Sequence, residues 1–361
     1  MTDEARPAAL AAVFDGPAAG LRLQALPLPA PAPREVLVRI VAATVCGSDV
    51  HTVRGVRTEP TPSILGHEGV GLVEISRRPG VEPGHLVTFA ICDVCGSCDR
   101  CATGLSQKCR ALMKYGHSTL SSGCGLNGCY STHLLLRAGT HIVRLPPGLA
   151  ANPPLAAPAN CALATVMCAA RAVQTHLAAA PRTRALVQGA GLLGLFACAV
   201  LRDELRFEHV FCSDTVAERR AMAGRFGARP LEPCQLDEDA GGNPPMADSF
   251  DCVIEVCGTP KVFPSGLRCL RPGGCYILVG LVHPQSQLEV TGQQLIRKCA
   301  TVAGVHNYAA ADLDRAVAYL ERVCQDNTYP LQDLLSPAFA LEQIQVAVDR
   351  SGDFYRALIR P

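Results

Sequence analysis

Residues 35–45 read Glu-Val-Leu-Val-Arg-Ile-Val-Ala-Ala-Thr-Val, a β-branched and partly alternating run that predicts a strand. Residues 69–75 and 85–91 repeat the pattern, with Arg78-Pro79-Gly80 as a turn between them. Short strands broken by Gly and Pro, with little helical period, predict a β-rich, irregular N-terminal half. The pattern changes after Pro158. Residues 159–180 are Ala-rich and free of internal Gly and Pro, which predicts a helix. Strand and helix patterns then alternate: a strand at 184–188, an apolar helix ending near 205, a strand at 209–213, and a helix at 215–226 stopped by Gly227. Residues 250–256 and 275–281 read as further buried strands, with Arg271-Pro272-Gly273-Gly274 as a turn before the second. Alternation of this kind predicts a parallel, doubly wound sheet. The last 55 or so residues, with a helix near 312–324, are expected to return to the first domain.

Length and composition sharpen this picture. At 361 residues the chain exceeds what one core usually serves, so two domains are expected. A hydrophobic share of 48% against 18% charged excludes a disordered chain. Net charge is +1 and no Lys/Arg cluster occurs, which argues against a nucleic-acid or anionic-membrane partner. No run approaches the roughly 18 apolar residues of a membrane span. Residues 1–7, carrying Asp3 and Glu4, lack the start of a signal peptide. A cytoplasmic location is expected. Of the 19 cysteines, Cys198, Cys212, Cys252, Cys275 and Cys299 lie in apolar runs and read as small buried hydrophobes.

Gly189-x-Gly191-x-x-Gly194 falls between a predicted strand and a predicted helix. The first glycine permits a tight turn, and the second lets the backbone of Gly191, Leu192 and Leu193 approach a pyrophosphate. The third allows close helix–strand packing, while the helix N-terminus supplies amide donors. Asp214 follows Gly194 by 20 residues, at the end of the next strand. An acid there accepts ribose hydroxyls and repels a 2′-phosphate, favouring NAD over NADP. Arg219 stands near enough to weaken that preference or to contact the ribose. The competing interpretation is a plain glycine turn with a helix-capping Asp.

Cys95, Cys98, Cys101 and Cys109 supply four thiolates within 15 residues, set among loop-forming Gly96, Ser97, Asp99 and Gly104. Zinc takes four such ligands at about 2.3 Å, so the spacing predicts a closed structural site. Disulfides are the alternative, disfavoured in a cytosolic chain. Cys92 is expected not to be a ligand. A second constellation, Cys46-Gly-Ser-Asp-Val-His51 and Gly66-His67-Glu68, offers thiolate, imidazole and carboxylate from two separated loops. A catalytic zinc keeps three protein ligands and one open position. Taken singly, Cys46 or His67 could equally be a core residue.

These features, in this order and spacing, resemble the zinc-containing medium-chain dehydrogenase/reductase family over essentially the whole chain. That family includes alcohol, sorbitol and threonine dehydrogenases. The resemblance implies an α/β fold: a GroES-like β-rich catalytic domain over residues 1–161, with a structural-zinc lobe at about 92–110, and a Rossmann NAD-binding domain over 162–306. Residues 307–361 would return to the catalytic domain. By the same resemblance Cys46 and His67 match catalytic zinc ligands, and Glu68 matches a supporting carboxylate or alternative ligand. Ser48 matches the hydroxyl that passes on the alcohol proton, and His51 the end of that relay. Asp49 matches the carboxylate orienting His67, and Arg356 matches a late arginine touching the cofactor pyrophosphate. A homodimer or homotetramer is implied.

The chain departs from the family pattern at two places. Counting puts Asn160 where the family has its remaining zinc ligand, with Cys161 beside it. Asn is a poor zinc ligand and thiolate a good one, so Cys161, or Glu68 directly, is expected to complete the site. His85 replaces the usual Asp of a Gly-Asp-x-Val turn, a difference expected to be structural. The implied reaction is hydride transfer between NAD(H) and an alcohol or carbonyl substrate. Lys114-Tyr115-Gly116-His117, Leu126-Asn127-Gly128 and residues 158–165 resemble a bacterial subgroup linked to phosphonate catabolism. A hydroxyalkylphosphonate is therefore one expected substrate and a polyol the other. A zinc-free quinone or enone reductase of the same fold, and a non-catalytic nucleotide-binding protein, are the alternatives; Cys46, His67 and the four-cysteine lobe weigh against both.

Overall fold

The computed structural model describes residues 8–178, 182–236 and 246–361. Residues 1–7, on which the absence of a signal-peptide start was read, lie outside the described residues. Two compact units divide the chain: residues 1–161 with 309–361, and residues 162–308.

In the first unit the strand Val36–Val45 is buried along nearly its whole length, because it is covered on both sides. It pairs antiparallel with Glu68–Ser76, with Arg356–Arg360 and with His133–Leu136. Leu86–Asp93 continues the sheet beyond Glu68–Ser76, and the short strand Met113–Lys114 pairs with it in turn. Register fixes the consequence for function. Thr44 lies opposite Glu68, and Val45 opposite Ala357. The end of one strand and the starts of two neighbours therefore meet at one edge, bringing Cys46, Glu68 and Arg356 together.

In the second unit six strands form a parallel sheet in the spatial order Arg229–Leu231, His209–Ser213, Arg184–Gln188, Phe250–Glu255, Leu270–Leu278, Thr301–Gly304. Numbered along the chain this is 3-2-1-4-5-6, the doubly wound order, and its direction reverses beside Arg184–Gln188. Leu186, Phe250, Val253, Phe263 and Tyr276 form its core.

Three sequence expectations need correction. The helix predicted at 159–180 runs over Ala162–His176, and Pro153–Asn160 is a 3-10 stretch instead. Cys161, at φ −128° and ψ −73°, lies outside the helical region and separates that stretch from the helix; residues 179 and 180 lie outside the described residues. The predicted turn Arg271–Gly274 falls inside the strand Leu270–Leu278, where it appears as a register shift against Phe250–Glu255. Cys299 is not a buried hydrophobe. It is exposed and ends the helix Gly292–Lys298 at φ 48°. Among the described residues no single helix is long and apolar enough to cross a membrane.

Candidate metal centres and glycine loop

Cys46 leaves the strand Val36–Val45 and begins the helix Gly47–Val53. Asp49, 2% exposed, ties that turn to its neighbours. Its Oδ2 accepts from the Cys46 amide at 3.0 Å and from the Tyr130 hydroxyl at 3.0 Å, and its Oδ1 accepts from the Gly66 amide at 3.3 Å. The same Oδ1 lies 3.4 Å from His67 Nδ1, which leaves Nε2 of that ring for the opposite side. Glu68 is fully buried. The Thr44 hydroxyl donates to its Oε2 at 2.6 Å, and Arg356 donates to both carboxylate oxygens at 2.8 and 3.0 Å. The Arg356 guanidinium also reaches to 3.8 Å from the Cys46 sulfur, and its remaining nitrogen donates to the Tyr355 carbonyl. Arg356, expected from the sequence to reach a cofactor, is thus held inside this cluster.

Cys161 sits at the joint between the 3-10 stretch and the helix Ala162–His176, where the chain bends. One ligand atom each from Cys46, His67, Glu68 and Cys161 lie within 4.8 Å of one another. Ligands of a tetrahedral zinc stand about 3.3–3.8 Å apart, and two sulfurs with one imidazole nitrogen suit that ion. The donor set fits zinc. Asn160 instead donates through Nδ2 to the His67 and Phe89 carbonyls at 3.0 and 2.9 Å, bracing the segment that carries His67.

Charge in this pocket is tightly linked. A hydrogen bond from Cys161, aided by Arg356 and His67, holds the Cys46 thiol well below its ordinary value, while the same bond and burial push Cys161 well above it. Burial opposes protonation of His67, yet the Asp49 carboxylate and the Cys46 thiolate outweigh it and lift the ring to about 10. Burial raises Glu68 to about 7 against the pull of Arg356. Ser48 is half-buried and His51 exposed, three residues apart on the helix Gly47–Val53 and so on neighbouring positions of its surface. Among the described residues no hydrogen bond joins their side chains.

In the second cluster the sulfur separations are 3.6 Å for Cys98–Cys101, 3.9 Å for Cys98–Cys109 and 3.4 Å for Cys95–Cys109. Four sulfurs at 2.3 Å from one ion stand about 3.8 Å apart, and a disulfide would bring a pair to about 2.05 Å. The geometry matches a four-thiolate zinc site. Backbone amides of Ser97 and Cys98 already draw Cys95 down to about 6, favouring the thiolate a metal needs.

Gly189, at φ 110°, turns the chain out of the strand Arg184–Gln188. A Cβ on Gly194 would run into the Gly189 carbonyl, so the third glycine is a packing requirement. Gly191 precedes the helix Leu192–Asp203 and faces space in which a Cβ would meet no atom within 4 Å. Leu192 is buried and Leu193 half-buried at the start of that helix. Asp214 Oδ2 accepts from the Ala190 amide at 2.7 Å and Oδ1 from the Val216 amide at 2.9 Å, so this acid fixes the loop. Arg220, not singled out in the sequence, donates to the Asp214 carbonyl at 2.9 Å and pairs with Glu232. Arg219 is half-buried and makes no hydrogen bond among the described residues.

Residues 32–147 match the alcohol dehydrogenase GroES-like domain, and residues 162–359 match the glucose dehydrogenase C-terminus. An L-threonine 3-dehydrogenase of Legionella pneumophila is 26% identical over 80% of this chain and 81% of its own length. The 5-exo-hydroxycamphor dehydrogenase of Pseudomonas putida is 27% identical over 93% of both chains. An alcohol dehydrogenase of known structure from Thermotoga maritima superposes with a TM-score of 0.86 at 25% identity, covering 98% of this chain and 100% of its own. The matched GroES-like half and C-terminal half together take in both compact units, and the chain belongs to the zinc-type medium-chain dehydrogenase family.

Proposed function

We propose that this protein is a zinc-dependent alcohol dehydrogenase that moves a hydride between NAD(H) and an alcohol or carbonyl compound. The observation that carries the proposal is the gathering of Cys46, His67, Cys161 and Glu68 ligand atoms within 4.8 Å, in the same chain as an open glycine loop at a helix N-terminus. Bound zinc supplies Lewis-acid polarisation of a substrate oxygen, and a nicotinamide dinucleotide supplies the hydride acceptor or donor. Cys46, His67 and Cys161 hold the metal, with Glu68 as the carboxylate beside it. Asp49 orients the His67 ring, and Arg356 balances the charge of Cys46 and Glu68. Ser48 Oγ takes up the proton leaving the substrate hydroxyl, and His51, being exposed, delivers it to water. Gly189, Gly191, Leu192, Leu193 and Gly194 receive the pyrophosphate. Asp214 accepts from the ribose and favours NAD over NADP, with Arg219 at the rim. Cys95, Cys98, Cys101 and Cys109 hold a second, structural zinc.

A hydroxyalkylphosphonate or a polyol is the substrate, in a cytoplasmic homodimer or homotetramer. Metal content and cofactor reduction measured on one purified sample test the core of this proposal. Two zinc ions per chain are expected, with NADH appearing when NAD⁺ is mixed with alcohols, polyols or hydroxyphosphonates. Cys46→Ala should lose turnover while dinucleotide binding stays detectable. One zinc per chain and no alcohol oxidation, or a Cys46→Ala variant with undiminished rates, would overturn it.

A further inference from the structure

Among the described residues the ladder between Glu68–Ser76 and Leu86–Asp93 consists of Gly71 opposite Val87 and Leu72 opposite Leu86. Beyond Gly71, towards His67, side chains span the two segments instead. The Thr88 hydroxyl donates to the Gly69 carbonyl at 3.2 Å. Asn160 Nδ2 donates to the Phe89 carbonyl at 2.9 Å and to the His67 carbonyl at 3.0 Å, so one nitrogen bridges both. A primary amide carries two N–H donors on a single atom, whereas a hydroxyl carries one and a carboxylate none. The two acceptors thus account for an asparagine at this position.

Asn160 is fully buried and ends the 3-10 stretch Pro153–Asn160, which packs on Val36–Val45, Glu68–Ser76 and Leu86–Asp93. The residue after it is Cys161, whose sulfur belongs to the cluster. The path from His67 to Cys161 is therefore one hydrogen bond, one short side chain and one peptide bond. Asp49 makes the matching connection on the other side. It accepts from the Cys46 amide at 3.0 Å and from the Gly66 amide at 3.3 Å, and it lies 3.4 Å from the His67 ring. His67 thus stands between two braces, one leading to Cys46 and one to Cys161. Zinc accepts a narrow range of bond lengths, about 2.0–2.1 Å to nitrogen and about 2.3 Å to sulfur, so the spacing of its ligands governs how firmly it is held.

We infer that Asn160 is a positioning residue of the metal cluster: by tying the His67 and Phe89 carbonyls it holds Cys161 at the spacing from His67 that zinc needs, and so sets how tightly the cluster keeps its metal. The inference rests on the zinc site of the proposed function and deepens it.

The test titrates the zinc-loaded full chain with a chromogenic zinc chelator and reads the zinc released per chain, in wild type, Asn160→Leu and Asn160→Ala. Leucine keeps the branched shape of asparagine without its donors, and alanine puts nothing larger into the site. Cys46→Ala, which should retain only the zinc of the four-cysteine knuckle, tells the two ions apart. In both Asn160 variants the cluster zinc should leave at about 10- to 100-fold lower chelator concentration, while the knuckle zinc leaves as in wild type. Release at the same concentration as wild type overturns the inference. Loss of both ions together, with the folded structure, assigns Asn160 to the fold alone and overturns it as well. Cobalt loaded in place of zinc reports geometry. With the Cys46→Ala spectrum subtracted, the thiolate-to-cobalt charge-transfer band and the visible bands of the cluster should weaken and shift in Asn160→Leu. A cluster that loses zinc more easily yet keeps the wild-type cobalt spectrum would show lowered stability without altered ligand spacing, against the inference. Failure of the underlying zinc site would show separately, as a wild-type chain that holds the knuckle zinc and no other.

Discussion

Glu68 and Arg356 are 288 residues apart in the chain and meet in the interior, both buried, with two hydrogen bonds between them. Removing one partner of such a pair leaves a charge in a medium that cannot solvate it. Arg356→Met is therefore expected to cost about 3–5 kcal/mol of unfolding free energy, measured by denaturant titration. Adding Glu68→Gln should recover more than half of that loss, because the orphaned charge is then gone. If Arg356→Met alone is nearly neutral, Glu68 has taken up a proton, which burial already favours, or water or a metal serves it. Single residues also mark how far the sequence could be read. Cys46, His67 and the four-cysteine knuckle stood out because their spacing is local. Thr44, Tyr130 and the position of Arg356 did not, since strand register decides them and no short motif encodes it. Between Asn160 and Cys161 only a chemical preference was legible. The bend at the end of the 3-10 stretch is what turns the thiol into the cluster and the amide onto backbone carbonyls.

At the scale of elements, the glycine loop separates a packing role from a binding role. A Cβ at Gly194 overlaps the Gly189 carbonyl, whereas a Cβ at Gly191 meets nothing. Gly194→Ala should therefore lower stability by about 1–3 kcal/mol through overpacking. Gly191→Ala, at φ −71°, should unfold like the wild type, yet raise the Kd for NADH, read by fluorescence titration, by about tenfold or more as the methyl enters the space a pyrophosphate needs. The reverse assignment, with Gly191→Ala unstable and NADH binding unchanged, would remove the loop from cofactor recognition. The knuckle gives a parallel case. Cys101→Ser should release one zinc per chain and open residues 95–109 to limited proteolysis, since few apolar contacts hold that lobe. Strands such as Arg184–Gln188 and His209–Ser213 were legible because short apolar runs lay between clear breaks. The stretch Leu270–Leu278 was not, because Pro272-Gly273-Gly274 reads as a turn while its neighbours in the sheet carry the chain through with a shifted register.

Across the whole molecule, every described cysteine is a free thiol, and many are packed as apolar core. Burial pushes Cys92 up to about 11 and drives Cys129 well above its ordinary value. In Cys212 a hydrogen-bonding neighbour, Cys198, adds to burial, and in Cys252 burial is joined by Cys275. An unfolded chain loses these protons from about pH 8 upward, around the ordinary thiol value of about 8.5. The folded chain keeps them, so above that pH the native state binds more protons than the unfolded state, and stability must fall as pH rises. Below about pH 7.5 these thiols are protonated in both states and their effect vanishes. Lys114, which burial lowers, works in the opposite direction, as do the lowered thiols of Cys46 and Cys95, whose contribution is complete once the unfolded thiols have ionised. Each fully buried thiol contributes up to about 1.4 kcal/mol per pH unit within its window. Under reducing conditions the unfolding free energy should therefore not fall up to about pH 7.5 and should drop by several kcal/mol by pH 10.5. Cys129 lies in the core of the first unit and Cys252 and Cys212 in the sheet of the second, so both units should weaken together. A flat profile up to pH 10.5 would mean that these thiols ionise in place, and hence that water reaches interiors which the packing closes.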